Sequence, residues 1–224
     1  MRIGVVLAGG ASSQSSAEQL LPRVLADDVA MADAVIVAAD SGLDLARRLG
    51  IVPTLVVGDL DSVTDDALRW ARGLGIEVRS FPPDKDETDL DLALAAVVVA
   101  GVDRVIVLGG AGGRLDHLLG NIGAIGRLGG ELPVEAWLGE EYFAVVTSSW
   151  SAALPAAAIV SVLPLGGPVV VSEAGVRWPL DRHRLPLGST QGISNEAVAT
   201  DGPVRITVHE GCALVVVPTA KDLT

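Results

Sequence analysis

The sequence predicts an α/β fold in which a mostly parallel, Rossmann-like sheet flanked by helices is followed by a small all-β sandwich domain. Short Val, Ile, Leu and Ala runs alternate with helical patterns as far as about residue 140. Beyond that point the apolar runs are short and are separated by Gly and Pro. Half of the residues are hydrophobic but only 3% are aromatic, which suits close packing of helices on a sheet. We therefore predict an α/β domain over 1–143 and a β domain over 144–224.

The α/β domain is predicted from alternating strand and helix patterns. β-branched and aliphatic runs predict the strands, which are Ile3–Leu7, Ala34–Ala39, Thr54–Val57, Ile76–Phe81, Arg104–Leu108 and Val134–Leu138. Helical spacing of apolar residues predicts the intervening helices, which are Leu20–Leu25, Leu43–Leu49, Ala67–Leu74, Thr88–Ala100 and Leu115–Leu128. Gly50 is a typical helix stop after Leu49. In the β domain, apolar runs predict strands at 158–163, 169–172, 204–208 and 213–217.

Composition excludes several classes of protein. A net charge of −12 argues against a general nucleic-acid binder, which would carry a basic face. The single cysteine, Cys212, excludes an internal disulfide and a cysteine zinc site. The uncharged stretch 142–172 is broken by Pro and Gly, which favours short strands over a membrane span. The apolar run Ile3–Leu7 is too short for a signal peptide, so we expect a cytoplasmic protein.

Two aspartates follow the third predicted strand. Asp59 and Asp61 lie in Gly58–Ser62, directly after Thr54–Val57. Carboxylates at the mouth of a strand suit Mg²⁺, which takes one or two carboxylates together with substrate phosphates. A motif this short also occurs in ordinary loops, but Asp40 follows the second strand in the same way. Because ligands bind beyond the carboxyl ends of the strands in such sheets, these loops are expected to share one crevice.

A third acidic loop spans Lys85–Asp91. Thr88 is a typical helix N-cap, and Asp89 and Asp91 would lie in the first helical turn, where acidic side chains favour the helix dipole. That structural role does not account for Lys85, or for so many carboxylates at one sheet edge. Their mutual repulsion indicates a bound cation, with Asp89 a better candidate ligand than Asp91.

A glycine-rich loop, Gly109–Gly113, follows the fifth strand and precedes a helix. Glycines in this position let backbone N–H groups approach an anion, helped by the helix N-terminus. The loop matches neither G-x-G-x-x-G nor the P-loop pattern. Arg114 can bind phosphate oxygens with its guanidinium group, Asp116 adds a carboxylate, and Asn121 follows in the helix. Carboxylates for Mg²⁺ beside donors for phosphate predict a nucleoside triphosphate site.

Taken together, these motifs resemble those of the thiamin pyrophosphokinase family. The matching segments are Ala39–Gly42, Gly58–Ser62, Lys85–Asp89, Gly112–His117 with Asn121, and Gly188–Glu196. The opening Val6–Ser13 also resembles nucleotidyltransferases that use a similar Gly-Gly loop, but the Lys that those proteins carry in it is missing here. The thiamin pyrophosphokinase resemblance spans nearly the whole chain.

This resemblance implies transfer of pyrophosphate from ATP to the hydroxyl of thiamin, with Mg²⁺, in a homodimer whose active site lies at the interface. It also implies roles for individual residues. The catalytic candidates are Asp59, Asp61, Asp89, Arg114 and Asp116. Those implied to bind Mg²⁺ are Asp59, Asp61 and Asp89. Those implied to contact or support ATP are Asp40, Lys85, Thr88, Arg114 and Asn121. Those implied to contact thiamin are Ser194 and Asn195.

The sequence departs from the family pattern at two positions. Ser41 stands where Gly is common, and Val198 stands where some members have an aromatic that packs on thiamin; Trp178 is a candidate substitute.

One alternative function is that of a related pyrophosphokinase for another alcohol, such as a hydroxymethylpterin. The second is a catalytically dead nucleotide-binding relative, which the intact acidic motifs disfavour. The acidic character of the chain suits a cationic substrate such as thiamin.

Overall fold

The computed structural model of the chain describes residues 1–10, 33–198 and 202–223. These residues fall into two units. The first unit comprises Met1–Ile125 and Ala136–Gly139, and the second comprises Gly126–Glu135 and Glu140–Thr224. The predicted helix Leu20–Leu25 lies outside the described residues.

A largely parallel sheet forms the centre of the first unit. Its strands are β1 (Ile3–Ala8), β2 (Val35–Ala39), β3 (Leu55–Gly58), β4 (Glu77–Ser80), β5 (Arg104–Gly109) and β6 (Val134–Leu138), the last of which crosses the division between the units. They are arranged in the order β6-β5-β1-β2-β3-β4. The strands from β1 to β4 pair successively in parallel, and β5 returns to pair in parallel with the other side of β1. The strand order therefore reverses next to β1, which is where ligands bind in such sheets.

Burial of the parallel strands explains their sequences. All six residues of β1 are buried, as are all four of β3 and five of the six in β5. Strands covered on both faces need continuous apolar runs, and the Val- and Leu-rich segments provide them.

Four α-helices occur in the described residues: α1 (Gly42–Leu49), α2 (Asp65–Gly73), α3 (Asp89–Val99) and α4 (Leu115–Gly129). Helix α3 packs against β1, β2 and β3. It begins at a capping box, because the Thr88 hydroxyl accepts from the Asp91 N–H at 3.1 Å and Asp91 Oδ2 accepts from the Thr88 N–H at 3.3 Å. The N-terminus of α3 is thus fixed at the edge of the sheet where β2 and β3 end.

Two antiparallel sheets make up most of the second unit. Its strands are β7 (Glu141–Val146), β8 (Ser149–Ala152), β9 (Ile159–Pro164), β10 (Val169–Ala174), β11 (Leu180–Leu185), β12 (Asn195–Glu196), β13 (Val204–Glu210) and β14 (Ala213–Val217). One sheet has the order β12-β9-β14-β7 and the other β11-β10-β13-β8. Buried residues alternate with less buried ones along β10, β13 and β14, as expected for antiparallel strands covered on one face.

The α/β class, the mostly parallel sheet and the β-rich second half are confirmed. The predicted boundary between residues 143 and 144 falls inside β7, whereas the second unit resumes at Glu140 because β7 pairs with β14. The sequence patterns also missed the strands β7, β8, β11 and β12. Among the described residues no helix is both long and apolar enough to cross a membrane.

Candidate active site

A cavity of about 540 Å³ opens at the carboxyl ends of the parallel strands in the first unit. Strands β1, β2, β3 and β5 end at Ala8, Ala39, Gly58 and Gly109, and the residues that follow each of them line the cavity. Its polar side chains are Asp40, Ser41, Asp59, Asp61, Ser62, Lys85, Thr88, Asp89, Asp116, His117 and Asn121. The four loops predicted to meet at one sheet edge, at residues 40–42, 59–62, 84–91 and 109–117, each contribute residues to this cavity.

Three carboxylates converge inside this cavity. Asp40, Asp59 and Asp89 each offer one oxygen, and these oxygens lie within 4.8 Å of one another. Asp40 is held in a left-handed conformation (φ 45°) while its N–H donates to the Val57 carbonyl at 2.8 Å. Its Oδ1 atom is buried and has no hydrogen-bond partner. A buried carboxylate oxygen without a donor is costly unless a cation satisfies it, so this group fits Mg²⁺.

Lys85 lies beside the same carboxylates. Its ammonium nitrogen is 3.2 Å from Asp89 Oδ1 and 3.8 Å from Asp59 Oδ2, and only 11% of its side chain is exposed. Burial raises the pKa of Asp89, Lys85 opposes that rise, and the neighbouring Asp59 and Asp40 carboxylates add to it. The cluster therefore holds more negative charge than Lys85 alone balances.

Gly58 makes the close approach of these carboxylates possible. It has φ 145°, a conformation that side chains rarely adopt. A Cβ atom at this position would lie 3.2 Å from both Asp40 Cβ and Asp89 Cγ. The sequence shows Gly58 at the start of the segment Gly58–Ser62. Only the fold shows why a glycine is needed there: Asp40 and Asp89 occupy the space beside it that a side chain would take.

Asp61, predicted as a metal ligand, also lines the cavity but is not one of the three clustered carboxylates. It is exposed, its N–H donates to Asp59 Oδ1 at 3.2 Å, and its own Oδ1 accepts from the Ser62 hydroxyl at 2.8 Å. Asp40, expected only to support the centre, is in the cluster instead. The role of Asp61 as a ligand stays a prediction.

The glycine-rich loop forms another part of the cavity lining. Gly110 and Gly112 line it, and Asn121 Nδ2 donates to the Gly110 carbonyl at 2.9 Å, which fixes the loop against α4. Arg114 does not line the cavity: its side chain is 74% exposed, and its Nε donates to Asp116 Oδ1 at 3.1 Å. That hydrogen-bonded pair lowers the pKa of Asp116. The Arg114 guanidinium is therefore paired with Asp116, and Asp116 itself lines the cavity.

The early Gly-Gly loop belongs to the site although its sequence match to nucleotidyltransferases is incomplete. Gly9 and Gly10 follow β1 and line the cavity. Gly9 and Gly10 directly follow a strand whose sequence predicts burial, and that position could have identified them as residues of the site. The remainder of the segment, residues 11–13, lies outside the described residues.

The predicted thiamin contacts lie in the second unit. Ser194 and Asn195 line a cavity of about 390 Å³ together with Trp178, Pro179, Leu180, Gln191 and Ile193. Ser194 is exposed, whereas Asn195 is buried and its side chain hydrogen-bonds to other residues of the protein. The Trp178 side chain is 53% exposed, and the Arg177 guanidinium lies 4.8 Å from its ring centroid. The structure thus places the candidate aromatic in the same cavity as Ser194.

Two family models match the chain. Residues 26–131 match the model described as "Thiamin pyrophosphokinase, catalytic domain", and residues 154–213 match "Thiamin pyrophosphokinase, vitamin B1 binding domain". The first match contains every acidic motif of the first cavity. The second contains all the residues that line the second cavity.

Individual proteins agree with these matches. The chain is 27% identical over 187 residues to thiamine pyrophosphokinase of Bacillus subtilis (strain 168), which covers 74% of this chain and 79% of that protein. It is 25% identical over 172 residues to thiamine pyrophosphokinase 1 of Oryza sativa subsp. japonica, covering 71% of this chain and 64% of that one.

Solved structures share the fold. The crystal structure of thiamine pyrophosphokinase from Bacillus subtilis superposes with a TM-score of 0.81 at 24% identity, covering 98% of this chain and 99% of that one. Thiamin pyrophosphokinase from Candida albicans gives a TM-score of 0.74 at 12% identity, covering 96% and 88%. With both domain models matched in order along one chain, the protein belongs to the thiamin pyrophosphokinase family.

Proposed function

We propose that this protein transfers pyrophosphate from ATP to thiamin. The thiamin hydroxyl oxygen forms a bond to the β-phosphorus, the bond from that phosphorus to the α-phosphate bridging oxygen breaks, and AMP leaves. The hydroxyl proton passes to a base, for which the cavity offers several carboxylates. The observation that carries the proposal is the cluster of Asp40, Asp59 and Asp89 beside Lys85, at the carboxyl ends of the parallel strands of a family member. The comparisons do not favour the pterin alternative.

Asp40, Asp59 and Asp89 are the side chains that fit Mg²⁺, and Asp61 is proposed to complete the set once phosphates are present. When bound, the ion neutralises charge that develops on the α- and β-phosphates. The clustered carboxylates would hold the ion, and the buried Asp40 oxygen would gain the partner it lacks. Lys85, held against Asp59 and Asp89, is placed to donate to a phosphate oxygen at the same point.

ATP is proposed to bind along the glycine-rich loop. Gly110 and Gly112 have positive φ angles and line the cavity, so their backbone can approach phosphates without obstruction by a side chain. Thr88 lines the same cavity, and Asn121 keeps the loop in place. Arg114 is proposed to leave Asp116 and pair with phosphate oxygens. Its exposure makes that exchange inexpensive, because exposed ion pairs contribute little.

Thiamin is proposed to bind in the cavity of the second unit, with the two antiparallel sheets forming a sandwich beneath it. Ser194 supplies an exposed hydroxyl, and Trp178 supplies an aromatic face for the thiamin rings. The net charge of −12 favours approach of a cationic substrate. A cytoplasmic location stays a prediction.

The protein is proposed to be a homodimer in which each active site combines the first unit of one subunit with the second unit of its partner. Leu115 and Leu119 on α4 are large apolar side chains that are 69% and 60% exposed, which supports burial against another chain. Sedimentation analysis tests the dimer. Mixing equal amounts of two variants expected to be inactive, Asp59→Asn and Trp178→Ala, tests the shared site. If each site is built across subunits, every mixed dimer has one intact site, and the mixture as a whole regains about a quarter of wild-type activity because about half of its dimers are mixed. No recovery after subunit exchange would place each site within one chain.

The activity is tested with purified protein, Mg²⁺-ATP and thiamin, following release of AMP and formation of thiamin diphosphate. Equal amounts of both products are expected, and neither forms when EDTA removes Mg²⁺. A hydroxymethylpterin serves as the competing alcohol. AMP release with the pterin alone, or with neither alcohol, would refute the proposal.

A further inference from the structure

The Asn195 side chain uses its full hydrogen-bonding capacity within the protein. Its Oδ1 accepts from the backbone N–H groups of Trp178 at 3.1 Å and Glu196 at 3.0 Å. Its Nδ2 donates to the Trp178 carbonyl at 2.9 Å and to Glu173 Oε2 at 2.9 Å. Two donors and two acceptor sites are all that an amide offers. Rotating the amide group by 180° would place its NH₂ against two N–H donors and its oxygen against two acceptors, so the orientation of the amide is fixed.

Glu173 is the buried anchor of this arrangement. It lies on β10, is 2% exposed, and reaches Asn195 on β12, a strand of the other antiparallel sheet. Burial raises the pKa of Glu173, and the hydrogen bond from Asn195 opposes the rise. Its Oε1 is buried without a hydrogen-bond partner. Such a group is costly to keep in a β-sheet interior, which points to a role beyond stability.

The residues that Asn195 holds are the walls of the 390 Å³ cavity. Both backbone polar groups of Trp178 bond to the Asn195 side chain, and Trp178 begins one of the two chain segments that line the cavity. Ser194, in the other segment, has a left-handed backbone (φ 60°), and its N–H donates to the buried Ser161 hydroxyl at 3.0 Å. Asn195 directly follows Ser194, so its hydrogen bonds to the Trp178 backbone tie the two segments of the cavity lining together.

We propose that Glu173 and Asn195 form a positioning pair that sets the distance between Trp178 and Ser194, and hence the affinity of this cavity for thiamin. The inference rests on the proposed function and deepens it. Asn195 shapes the cavity through the backbone of Trp178 and does not use its amide to bind thiamin. Glu173 contacts no substrate and acts only through Asn195.

The decisive variant is Glu173→Leu, which keeps Asn195 and leaves one of its amide hydrogens without an acceptor. Replacing a buried carboxylate by an apolar side chain of similar size is compatible with folding. The KM for thiamin is expected to rise about tenfold, with the KM for ATP unchanged, because a freed buried donor lets Asn195 and Trp178 shift. Glu173→Gln retains an acceptor for Asn195 and is expected to restore most of the thiamin affinity.

A matched control removes a different buried hydrogen bond of the same unit. The Trp150 Nε1–H donates to the Tyr142 hydroxyl at 3.0 Å, and neither residue lines the cavity. Tyr142→Phe is expected to lower stability while leaving the KM for thiamin within twofold of wild type. A similar rise in this KM in Tyr142→Phe and Glu173→Leu, or a Glu173→Leu value within twofold of wild type, would overturn the inference.

Amide hydrogen exchange separates this inference from the proposed function. The Trp178 N–H is expected to exchange faster in Glu173→Leu than in wild type or in Tyr142→Phe, whatever the enzymatic activity. If wild-type protein makes no thiamin diphosphate, the proposed function fails and the exchange rate alone decides the positioning role. Unchanged exchange at Trp178 in Glu173→Leu would refute that role.

Discussion

The ammonium group of Lys85 lies 3.2 Å from the carboxylate of Asp89, four residues later in the chain, at the start of α3. Both side chains are less than one quarter exposed, and Asp59 Oδ2 lies 3.8 Å from the same ammonium nitrogen. Lys85 thus serves as the protein's own cation among carboxylates that also fit Mg²⁺.

Replacing Lys85 by Met is expected to lower the free energy of unfolding by about 1–3 kcal/mol in EDTA, because Asp59 and Asp89 then repel each other without a cation. Mg²⁺ should restore more stability to the variant than to wild type, since it binds the same carboxylates in the folded state. Urea unfolding with and without Mg²⁺ measures both effects. The exposed Lys221→Met is the control for losing a lysine. Equal gains from Mg²⁺ in Lys85→Met and wild type would show that Lys85 and Mg²⁺ do not compete.

Three variants, each of which replaces one aspartate by asparagine, test which carboxylates bind Mg²⁺. Asp59→Asn is expected to reduce turnover at least a hundredfold, because Asp59 belongs both to the observed cluster and to the set indicated by sequence. Asp40→Asn and Asp61→Asn are expected to raise the Mg²⁺ concentration needed for half-maximal activity while the fold stays intact. Titration of activity against Mg²⁺, with circular dichroism as the folding control, distinguishes them. A wild-type Mg²⁺ dependence in Asp61→Asn would remove Asp61 from the metal shell.

Gly58→Ala is expected to cost about 2 kcal/mol or more of stability and to reduce activity at least tenfold. Its φ of 145° strains an alanine backbone, and the added methyl group displaces Asp40 and Asp89. Gly73→Ala is the matched control, because Gly73 lies in α2 with open space around it and should gain about 0.5–1 kcal/mol. Thermal unfolding and turnover measure the two variants. Wild-type turnover in Gly58→Ala would show that the carboxylates need not converge.

Glu173→Gln is expected to change how stability depends on pH. Burial raises the pKa of Glu173 above its ordinary value of 4.5, so the folded state keeps a proton that the unfolded chain loses. Stability of wild type therefore falls as pH rises through 4.5 and levels off above the folded-state pKa. Glutamine cannot titrate, and the stability difference in favour of the variant should grow over that range.

Urea unfolding at about pH 5 and about pH 8 measures this difference. The exposed Glu141→Gln controls for the removal of a surface carboxylate. A difference between Glu173→Gln and wild type that stays constant, or that shrinks as pH rises, would contradict the predicted sign.

Local patterns were sufficient for β1 and β5 because nearly all residues of these two strands are buried. The run Ile3–Leu7 and, after Arg104, the run 105–108 are continuous and carry no polar side chain, and β1 and β5 lie within one residue of the predicted strands. In the second unit β11 reads Leu-Asp-Arg-His-Arg-Leu, and four of its six residues are polar because most of the strand is not buried. Its strand pairing comes from β10, which no local pattern in 180–185 reveals.

The sequence by itself determined which residue types line the site. Residue types and their order along the chain identified the family and predicted that the acidic loops and the glycine-rich loop share one crevice, because parallel strands bring their carboxyl ends to one edge. Only the tertiary structure decided which side chains meet. It grouped Asp40 with Asp59 and Asp89, left Arg114 exposed, and joined Asn195 to Glu173 across two sheets. Such contacts depend on backbone angles and burial set by distant strands, and spacing along the chain does not encode them.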